Sequence, residues 1–329
     1  MVRTAVIGAG SLGRQHARIH ATLAAEGFSE FVVVCDINEN TARTVSEERK
    51  TDWATNWTEL IGRIDAASIA APTEAHCEIA CGLLENGIHV LVEKPISRTL
   101  DEADRMIRAA KKGNTVLQVG HLERFNPALV ALRPHVRKPV YFEIHRVGEF
   151  TARSLDIDVV LDLMIHDLDI VQWLVGEDVE VTNIHAVGIA ILTNKVDAAN
   201  ARLEFSSGAV ANITASRVGT EKIRKMRFFQ PHDYIAVDYV TKRASVSSLE
   251  RPTASGMWPG VHVKHLDIVD IEPLRAEIVS FLESARNGGA PSVSGYEGRN
   301  ALSLALRTLD RIREHAEHPG VSELSVNVP

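Results

Sequence analysis

The spacing of apolar residues divides the chain into two regions with different patterns. In the first region, apolar runs of strand length alternate with longer segments whose apolar residues recur at helical spacing. The predicted strands lie at residues 4–7, 31–36, 65–70, 88–92 and 115–119, with helices that include 73–85 and 99–112. Because strands that alternate with helices pair in parallel, this region predicts an α/β fold with a doubly wound parallel sheet of the Rossmann type.

After residue 120 the alternation stops, and β-branched and aromatic segments separated by turn residues follow one another. They predict strands at residues 139–147, 180–192, 198–205, 209–218, 225–230, 233–239 and 243–248. These strands indicate an α+β region with a mostly antiparallel open sheet. We therefore expect two domains, residues 1–120 and 121–329, with two final helices at 272–287 and 295–316 that return to the first domain. We assign these helices no chemistry.

Alternation within the later strands predicts one polar face of the second sheet. The residues that share this face are Asn200, Arg202 and Glu204 on one strand, and Asn212, Thr214 and Ser216 on the next. An antiparallel sheet commonly exposes one face to water. The polar face is therefore interpreted as solvent-exposed, as a wall of the substrate site or as an interface between subunits.

Length and composition describe an ordinary globular protein of two domains. The chain has 329 residues, of which 45% are hydrophobic and 24% charged. A net charge of −7 gives no basic surface, so nucleic acid is not an expected partner. No apolar run is long enough to cross a bilayer, and the start MVRTAVIGAG is typical of a strand and turn instead of a signal peptide. We expect a cytoplasmic protein without a membrane partner.

The three cysteines predict neither a disulfide framework nor a metal site. Cys77 and Cys81 share a predicted helix face beside His76, which resembles half of a metal site. Because no second well-spaced pair accompanies them, we interpret the cysteines as small buried hydrophobic residues and predict no metal.

A glycine-rich turn between the first strand and the first helix predicts a dinucleotide site. Gly8 turns the chain, Gly10 admits a pyrophosphate close to the backbone, and Gly13 lets the helix pack on the strand. The helix start at Ser11 and Leu12 then offers unpaired N–H groups to the phosphate.

The end of the second strand favours NAD as the cofactor. Asp36 lies where a carboxylate accepts hydrogen bonds from ribose hydroxyls. Ile37 and Asn38 follow it, so no adjacent arginine neutralises the 2′-phosphate of NADP. Arg43, further along the next helix, leaves NADP as the less favoured alternative.

Two further segments follow predicted parallel strands, whose carboxyl ends gather the ligand. The segment AAPTEAH after the strand at 65–70 is predicted to run along the cofactor, and VEKPIS follows the strand at 88–92. The candidate cofactor-binding residues here are Ala71, Pro72, Thr73, His76, Glu93 and Lys94. The Lys94 ammonium is suited to hydrogen-bond a substrate oxygen or a cofactor hydroxyl. Thr73 and Thr99 are predicted helix N-caps.

The segment DVVLDLMIHDLDIVQWLVG at 158–176 places polar residues on one stripe of an apolar helix. Asp162, His166 and Asp169 lie above one another, whereas Asp167 lies on nearly the opposite side. Histidine exchanges protons near neutral pH, and a carboxylate one turn away stabilises its charged form. The stripe is therefore either a solvated face or an acid–base group, with Asp162 and Asp169 as alternative partners of His166.

Three of these motifs occur in an order that resembles the Gfo/Idh/MocA family of oxidoreductases. They are Gly8, Gly10 and Gly13, the EKP segment at 93–95, and Asp162 four residues before His166. The resemblance implies an N-terminal NAD-binding Rossmann domain and a C-terminal domain for substrate and oligomerisation. It implies Lys94, Asp162 and His166 as catalytic residues, and a homodimer or homotetramer.

A narrower resemblance is to the bacterial branch of this family that includes UDP-N-acetylglucosamine 3-dehydrogenases. The segments GHLERFNP at 120–127, DVVLDLMIHDLDIV at 158–171, KVDAANARLEF at 195–205 and ITASRV at 213–218 carry it. It implies oxidation of the C3 hydroxyl of a UDP-N-acetylamino sugar, a step towards lipid A. The alternatives are a dehydrogenase of another sugar or of an inositol-type polyol, and a non-catalytic dinucleotide-binding regulator.

A substrate that carries UDP needs cationic partners for its pyrophosphate, and arginine pairs two phosphate oxygens at once. The candidate substrate-binding residues are Arg124, Asn126, Arg153, Asp169 and Arg217, and Arg224 is a further candidate for the pyrophosphate.

Overall fold

The computed structural model describes residues 1–149, 157–176, 178–249 and 260–318. The chain divides into two units, of which the first comprises Met1–Phe125 and Ile271–Leu302. The second comprises Asn126–Asp270 and Ser303–Pro329. The predicted boundary at residue 120 is not tested directly and stays a prediction.

The helices and strands of the described residues have the following bounds. The strands are β1 (Arg3–Ile7), β2 (Glu30–Cys35), β3 (Asp52–Ala54), β4 (Ala66–Ile69), β5 (His89–Glu93), β6 (Leu117–Gly120), β7 (Tyr141–Glu149), β8 (Val181–Ile189), β9 (Ala198–Phe205), β10 (Val210–Gly219), β11 (Ile223–Gln230), β12 (Asp233–Asp238), β13 (Arg243–Leu249) and β14 (Val261–His265). The α-helices are α1 (Ser11–Ala25), α2 (Glu39–Arg49), α3 (Thr73–Glu85), α4 (Leu100–Gly113), α5 (Pro127–Leu132), α6 (Ile165–Val175), α7 (Pro273–Asn287) and α8 (Gly295–Ala316).

The first unit contains a six-stranded sheet in the order β3-β2-β1-β4-β5-β6. All five strand pairs in it are parallel. The central strands β1, β4 and β5 are buried along nearly their whole length, which is why they are apolar without alternation. The predicted doubly wound parallel sheet is therefore confirmed.

Helix α7 packs within the first unit. Its apolar residues Leu274, Ile278, Phe281 and Leu282 form one buried cluster with residues of α1, β4 and β5. The first part of α8 belongs to the same unit.

The predicted helix starts of this unit have different outcomes. Thr99 caps α4 as predicted, because its side chain accepts a hydrogen bond from the backbone N–H of Glu102. The prediction for Thr73 is wrong: Pro72 occupies the cap position of α3, and Thr73 is the first helical residue. Proline suits this boundary because it has no backbone N–H to leave unpaired and its φ is already fixed.

The second unit contains an eight-stranded sheet in the order β14-β13-β12-β11-β7-β10-β9-β8. Its pairs are antiparallel except for β7 with β10, so the predicted mostly antiparallel sheet is confirmed. The sequence prediction missed the edge strand β14, whose residues are all exposed. Its sequence VHVKH alternates apolar and polar residues over only four positions, which is the shortest alternation that predicts a strand.

The polar residues of β9 and β10 share one face, as predicted. Asn200 donates a hydrogen bond to the hydroxyl of Thr214 across the strand pair at 2.9 Å, and Arg202 donates to Asn212 at 3.3 Å. The opposite face carries buried residues such as Leu203. No helix among the described residues is both long enough and apolar enough to span a membrane.

Candidate active site

The glycines of the turn after β1 are required for different physical reasons. Gly8 has a φ of +87°, and a Cβ there would lie 2.6 Å from the backbone of Ala70. A Cβ at Gly13 would lie 1.8 Å from the carbonyl oxygen of Gly8, so only glycine lets α1 approach the turn. A Cβ at Gly10 would meet no heavy atom within 4 Å. The turn is therefore closed at Gly8 and Gly13 and open at Gly10, as a pyrophosphate-binding turn requires.

The start of α1 adds a site for an anion. Gly10 is the N-cap residue and makes no side-chain cap, while Ser11 and Leu12 are exposed. The first N–H groups of a helix lack intrahelical acceptors and carry the positive end of the helix dipole. These groups fit the pyrophosphate of a dinucleotide.

Asp36 is fixed directly after β2 by two backbone donors. Its carboxylate accepts hydrogen bonds from the N–H of Ala9 at 2.7 Å and from that of Asn38 at 2.9 Å. Arg43 pairs with Glu39 at 2.6 Å and stacks on Trp53, with its guanidinium carbon 4.5 Å from the ring centre. The nearby cation is thus engaged elsewhere, while Asp36 disfavours a 2′-phosphate. These residues fit NAD.

His76 links the two loops that follow β4 and β5. The side chain is 1% exposed, with Nε2 at 2.9 Å from the carbonyl oxygen of Ala71 and Nδ1 at 3.1 Å from that of Pro95. Burial lowers the pKa of His76. Both ring nitrogens contact protein backbone, and the ring therefore fixes the two loops relative to each other.

Glu93 and Lys94 lie at the carboxyl end of β5, where a parallel sheet presents its ligand-binding residues. The Glu93 carboxylate lies 2.8 Å from Nε2 of the buried His16 and accepts a 3.3 Å hydrogen bond from the N–H of Lys94. The Lys94–Pro95 peptide is cis. Lys94 is partly exposed, whereas Glu93 is buried and bonded to protein.

The predicted catalytic stripe begins in a π-helical turn, Val160–Met164, that leads into α6. Asp162 lies in this turn and His166 in the first turn of α6, and both are partly buried. Asp169 is 1% exposed. The stripe is therefore not a fully solvated face, and π-turns are frequent at functional sites.

Asp167 lies on the other side of α6, as predicted, and anchors the helix. It forms a bidentate ion pair with Arg146 of β7, with distances of 2.7 and 2.8 Å. The two side chains are 1% and 2% exposed. The pair fixes the rotation of α6 about its axis, and with it the direction of the neighbouring His166.

The start of this helix is tied to the loop between β8 and β9. The N–H of Val159 donates to the carbonyl oxygen of Val196, and the N–H of Val196 donates to the Asp158 carboxylate. Arg217 donates to the carbonyl oxygen of Ile157 and lies 3.8 Å from the Asp197 carboxylate. Arg217 thus helps to hold the chain where the candidate catalytic helix begins.

The predicted substrate-binding residues have the following surroundings. Arg124 pairs with Glu297, and its side chain is 5% exposed. Asn126 caps α5 by accepting a hydrogen bond from the N–H of Ala128. Arg224 lies in β11, and Arg153 lies outside the described residues. The role of these residues towards a substrate stays a prediction.

Comparison with known proteins identifies the family. A model of an oxidoreductase family with an NAD-binding Rossmann fold matches residues 2–121, and a Gfo/Idh/MocA C-terminal domain model matches residues 104–229. The chain belongs to the Gfo/Idh/MocA family of oxidoreductases. The family resemblance, the enzyme class and the NAD cofactor predicted from sequence are thereby confirmed.

Relatives within the Gfo/Idh/MocA family include enzymes with different substrates. UDP-N-acetylglucosamine 3-dehydrogenase of Acidithiobacillus ferrooxidans is 37% identical, over 93% of this chain and 96% of that protein. Its solved structure has a TM-score of 0.90, and the match covers 96% of this chain and 99% of that one at 36% identity. The scyllo-inositol 2-dehydrogenase of Bacillus subtilis is 29% identical, over 95% of this chain and 94% of that protein.

A structure of levoglucosan dehydrogenase in complex with NADH and levoglucosan shares the fold of this Gfo/Idh/MocA chain. Its TM-score is 0.82 at 19% identity, and the match covers 95% of this chain and 97% of that one.

No group of three or more His, Cys, Asp or Glu side chains in the described part of the chain is arranged to hold a metal.

Several residues that position this Gfo/Idh/MocA site were missed from sequence. Among them are Arg146, which anchors α6, and Asp197, which accepts the N–H groups of Ile191, Leu192 and Thr193. Burial alone would raise the pKa of Asp197, but these backbone donors outweigh it and hold the pKa below its ordinary value. For Arg146, a charged residue inside an otherwise alternating strand was the available signal.

Proposed function

We propose that this oxidoreductase transfers hydride between NAD and carbon 3 of UDP-N-acetylglucosamine, forming the 3-oxo sugar in the oxidative direction. The observation that carries the proposal is the 37% identity to UDP-N-acetylglucosamine 3-dehydrogenase across 93% of the chain. Three inositol dehydrogenases matched over at least 95% of the chain are less similar, at 27%, 29% and 32% identity.

The proposed chemistry assigns one task to each residue of the catalytic trio. The His166 imidazole removes the proton from the C3 hydroxyl as a general base. Asp162 stabilises the charged imidazolium that results, and Asp169 is the alternative for this task. The Lys94 ammonium holds the reacting oxygen and offsets the negative charge that develops on it. When bound, NAD supplies the acceptor for the hydride.

Recognition of UDP is proposed to use arginine side chains that already have partners in the protein. The guanidinium groups of Arg124 and Arg217 are assigned to the pyrophosphate, because a planar guanidinium pairs two phosphate oxygens at once. Arg153 is a third candidate for the pyrophosphate, and Asn126 is assigned to the sugar. This proposal fits anchored cations, which lose little side-chain entropy when a substrate binds.

A substrate panel tests the function. NADH formation is measured by absorbance with UDP-N-acetylglucosamine, UDP-N-acetylgalactosamine, myo-inositol and scyllo-inositol at equal concentrations. We expect the highest kcat/KM with UDP-N-acetylglucosamine. Faster turnover of an inositol would replace the proposal by the polyol alternative, and NAD binding without turnover of any compound would favour a regulator.

The role of His166 is tested by a pair of histidine variants. We expect His166→Ala to lower kcat by about 10²–10⁴, the usual contribution of a general base. NADH affinity, measured by fluorescence, should stay unchanged. His262→Ala, at an exposed histidine of β14, is the matched control and should keep full activity. Near wild-type turnover of His166→Ala would exclude the role.

The proposed product fixes the class of the next reaction. A 3-oxo sugar carries a ketone, which an aminotransferase converts to an amine, as the route to a lipid A with a 2,3-diamino sugar requires. We infer a cytoplasmic location for this step.

The open polar face of the second sheet is the proposed contact between subunits of a homodimer or homotetramer. Tyr141, Glu143 and Asn212 form a hydrogen-bonded ladder on this face. Light scattering of the purified protein measures the assembly, and a monomer would contradict this part of the proposal.

A further inference from the structure

One carboxyl group of the first unit is buried without a hydrogen-bond partner. Glu277 lies on α7 and is 0% exposed. Neither of its carboxyl oxygens has a hydrogen-bond partner among the described residues. An ionised carboxylate is expensive to bury in this way, and such a group takes up a proton instead. Nothing in the catalytic scheme above uses this side chain.

Glu277 interrupts the apolar side of α7 that faces the parallel sheet. Leu274 and Phe281 lie about one helical turn before and after Glu277, and Ile278 follows it directly. All three are buried in the core cluster. An apolar residue would suit this position better for packing alone. A carboxyl group at this position therefore indicates a role other than packing.

A polar cluster lies where Glu277 is buried. Gln118 of β6 donates a 3.2 Å hydrogen bond to the backbone carbonyl oxygen of Glu277. Glu93, two rungs further along the β5–β6 pair, rests against Gly120, where a Cβ would lie 3.0 Å from the Glu93 carboxyl group. The same carboxylate contacts His16 and the N–H of Lys94. The cluster thus extends to the backbone of the candidate catalytic lysine.

We propose that Glu277 is a positioning residue for Lys94 and acts through Glu93. With a proton on Glu277, the Glu93 carboxyl group keeps its contacts with His16 and with the N–H of Lys94, and Glu277 adds no charge to the cluster. When Glu277 ionises, two buried carboxylates repel each other and the contact of Glu93 with Lys94 is weakened. The inference rests on the catalytic role proposed above for Lys94.

The charges around Glu277 favour its protonated form. Burial raises the pKa of Glu277 well above its ordinary value, and the negative charge of Glu93 acts in the same direction. Burial lowers the pKa of His20, on the helix α1 that packs against α7, to about 3, so His20 is neutral. The other buried titratable side chains on elements that pack against α7 are His16 on α1 and Glu123 and Arg124 in the turn after β6, and His121 directly precedes that turn.

Protonation of Glu277 predicts a particular dependence of stability on pH. Its pKa is higher in the folded than in the unfolded protein, so the folded protein binds more protons between the two values. Stability from this group is therefore present below the ordinary glutamate pKa and is lost as pH rises towards the raised one. Within this interval the wild-type unfolding constant should rise about tenfold per pH unit relative to Glu277→Gln.

The test compares Glu277→Gln, which is neutral at every pH, with wild type and with Glu283→Gln, an exposed control on the same helix. Urea unfolding is measured across pH, together with kcat and KM. We expect the wild type and the control to lose about tenfold or more in kcat at alkaline pH, since displaced catalytic groups commonly lose that much. Glu277→Gln should lack this loss, with KM unchanged.

A third measurement separates failure of this inference from failure of the substrate assignment. The rate at which Lys94 reacts with an amine-directed reagent, followed by peptide mass spectrometry, requires no sugar. Its pH profile should differ between wild type and Glu277→Gln. If the unfolding and labelling profiles of wild type and Glu277→Gln are the same across pH, the inference is overturned, whatever the substrate. If Glu277→Gln does not fold, Glu277→Leu replaces it, and an infrared band of a protonated carboxyl group in wild type must then be absent from that variant.

Discussion

At the scale of single residues, Gly10 and Gly13 show how one motif combines two requirements. Gly13 is needed by the fold, because a side chain there would overlap the carbonyl oxygen of Gly8. Gly10 has open space around its missing side chain, so the fold alone would accept alanine. The motif thus contains one structural and one ligand-binding position, which substitution distinguishes.

We expect Gly13→Ala to affect the stability of the fold and Gly10→Ala to affect the binding of NADH. Gly13→Ala should lower the free energy of unfolding by about 1–3 kcal/mol, the range for overpacked sites. Gly10→Ala should fold with wild-type stability yet bind NADH at least about tenfold more weakly, a loss of about 1.4 kcal/mol. Urea unfolding and NADH fluorescence measure the two quantities. Unchanged NADH affinity in Gly10→Ala would contradict a pyrophosphate at this turn.

The sequence predicts residues whose chemistry is local. Gly8 and Asp36 are recognised because the strand, turn and helix around them are adjacent in sequence. Glu277 and Arg146 were not assigned a role, since each acquires its significance from partners on distant elements. For both, the only sequence signal is a charged residue within an apolar pattern, and that signal does not identify the partner.

At the scale of elements, the helix that carries His166 depends on an ion pair on its far side. Arg146 and Asp167 are almost completely buried and bonded in a bidentate geometry. Removing one member of such a pair leaves the other charge buried without compensation. The helix that presents the candidate base His166 is therefore also held in the core by a buried ion pair.

We expect Asp167→Asn to lower the free energy of unfolding by about 3–5 kcal/mol, the usual effect of breaking a buried pair. Asp178→Asn, at an exposed position shortly after α6, is the control and should change stability by less than about 0.5 kcal/mol. Replacing both partners, with Arg146→Met and Asp167→Leu, should recover most of the loss. Denaturant unfolding measures all three, and equal stability of Asp167→Asn and the control would contradict the anchor.

Elements with strong periodicity were predicted, and elements without it were not. The parallel strands are continuous apolar runs, and β9 and β10 alternate regularly, so both sheets follow from the pattern. β14 is exposed on both faces, and the π-helical turn before α6 has the same composition as the helix it precedes. The π-helical turn does not change the apolar spacing that a sequence prediction uses, and β14 alternates over only four residues.

At the scale of the whole molecule, the chain passes from one unit to the other after Phe125, Asp270 and Leu302. The return of the chain adds α7 to the first unit and thereby brings Glu277 into its core. From sequence we expected the final helices to pack beside the first domain but assigned them no chemistry. The missing information was tertiary, because a carboxyl group on a helix has no chemistry until its neighbours are known.

Cofactor choice is a property of the whole molecule that stability can report. A ligand that binds only the folded protein raises the free energy of unfolding, by about 2.7 kcal/mol at one hundred times its Kd. NAD fits beside the Asp36 carboxylate, whereas the 2′-phosphate of NADP would meet its negative charge with Arg43 already engaged by Glu39 and Trp53. We expect NAD to raise the melting temperature more than NADP at equal concentration.

Thermal unfolding with each cofactor measures this difference, and two variants make it specific. Asp36→Ala should reduce the stabilisation by NAD. It should also narrow the difference in melting temperature between the NAD and NADP samples, because the repulsion of the 2′-phosphate is removed. Gly10→Ala should reduce the stabilisation by both, because the pyrophosphate is common to them. Stronger stabilisation of the wild type by NADP than by NAD would show that a cation other than Arg43 neutralises the 2′-phosphate. Equal effects of Asp36→Ala on both cofactors would exclude Asp36 as the discriminating group.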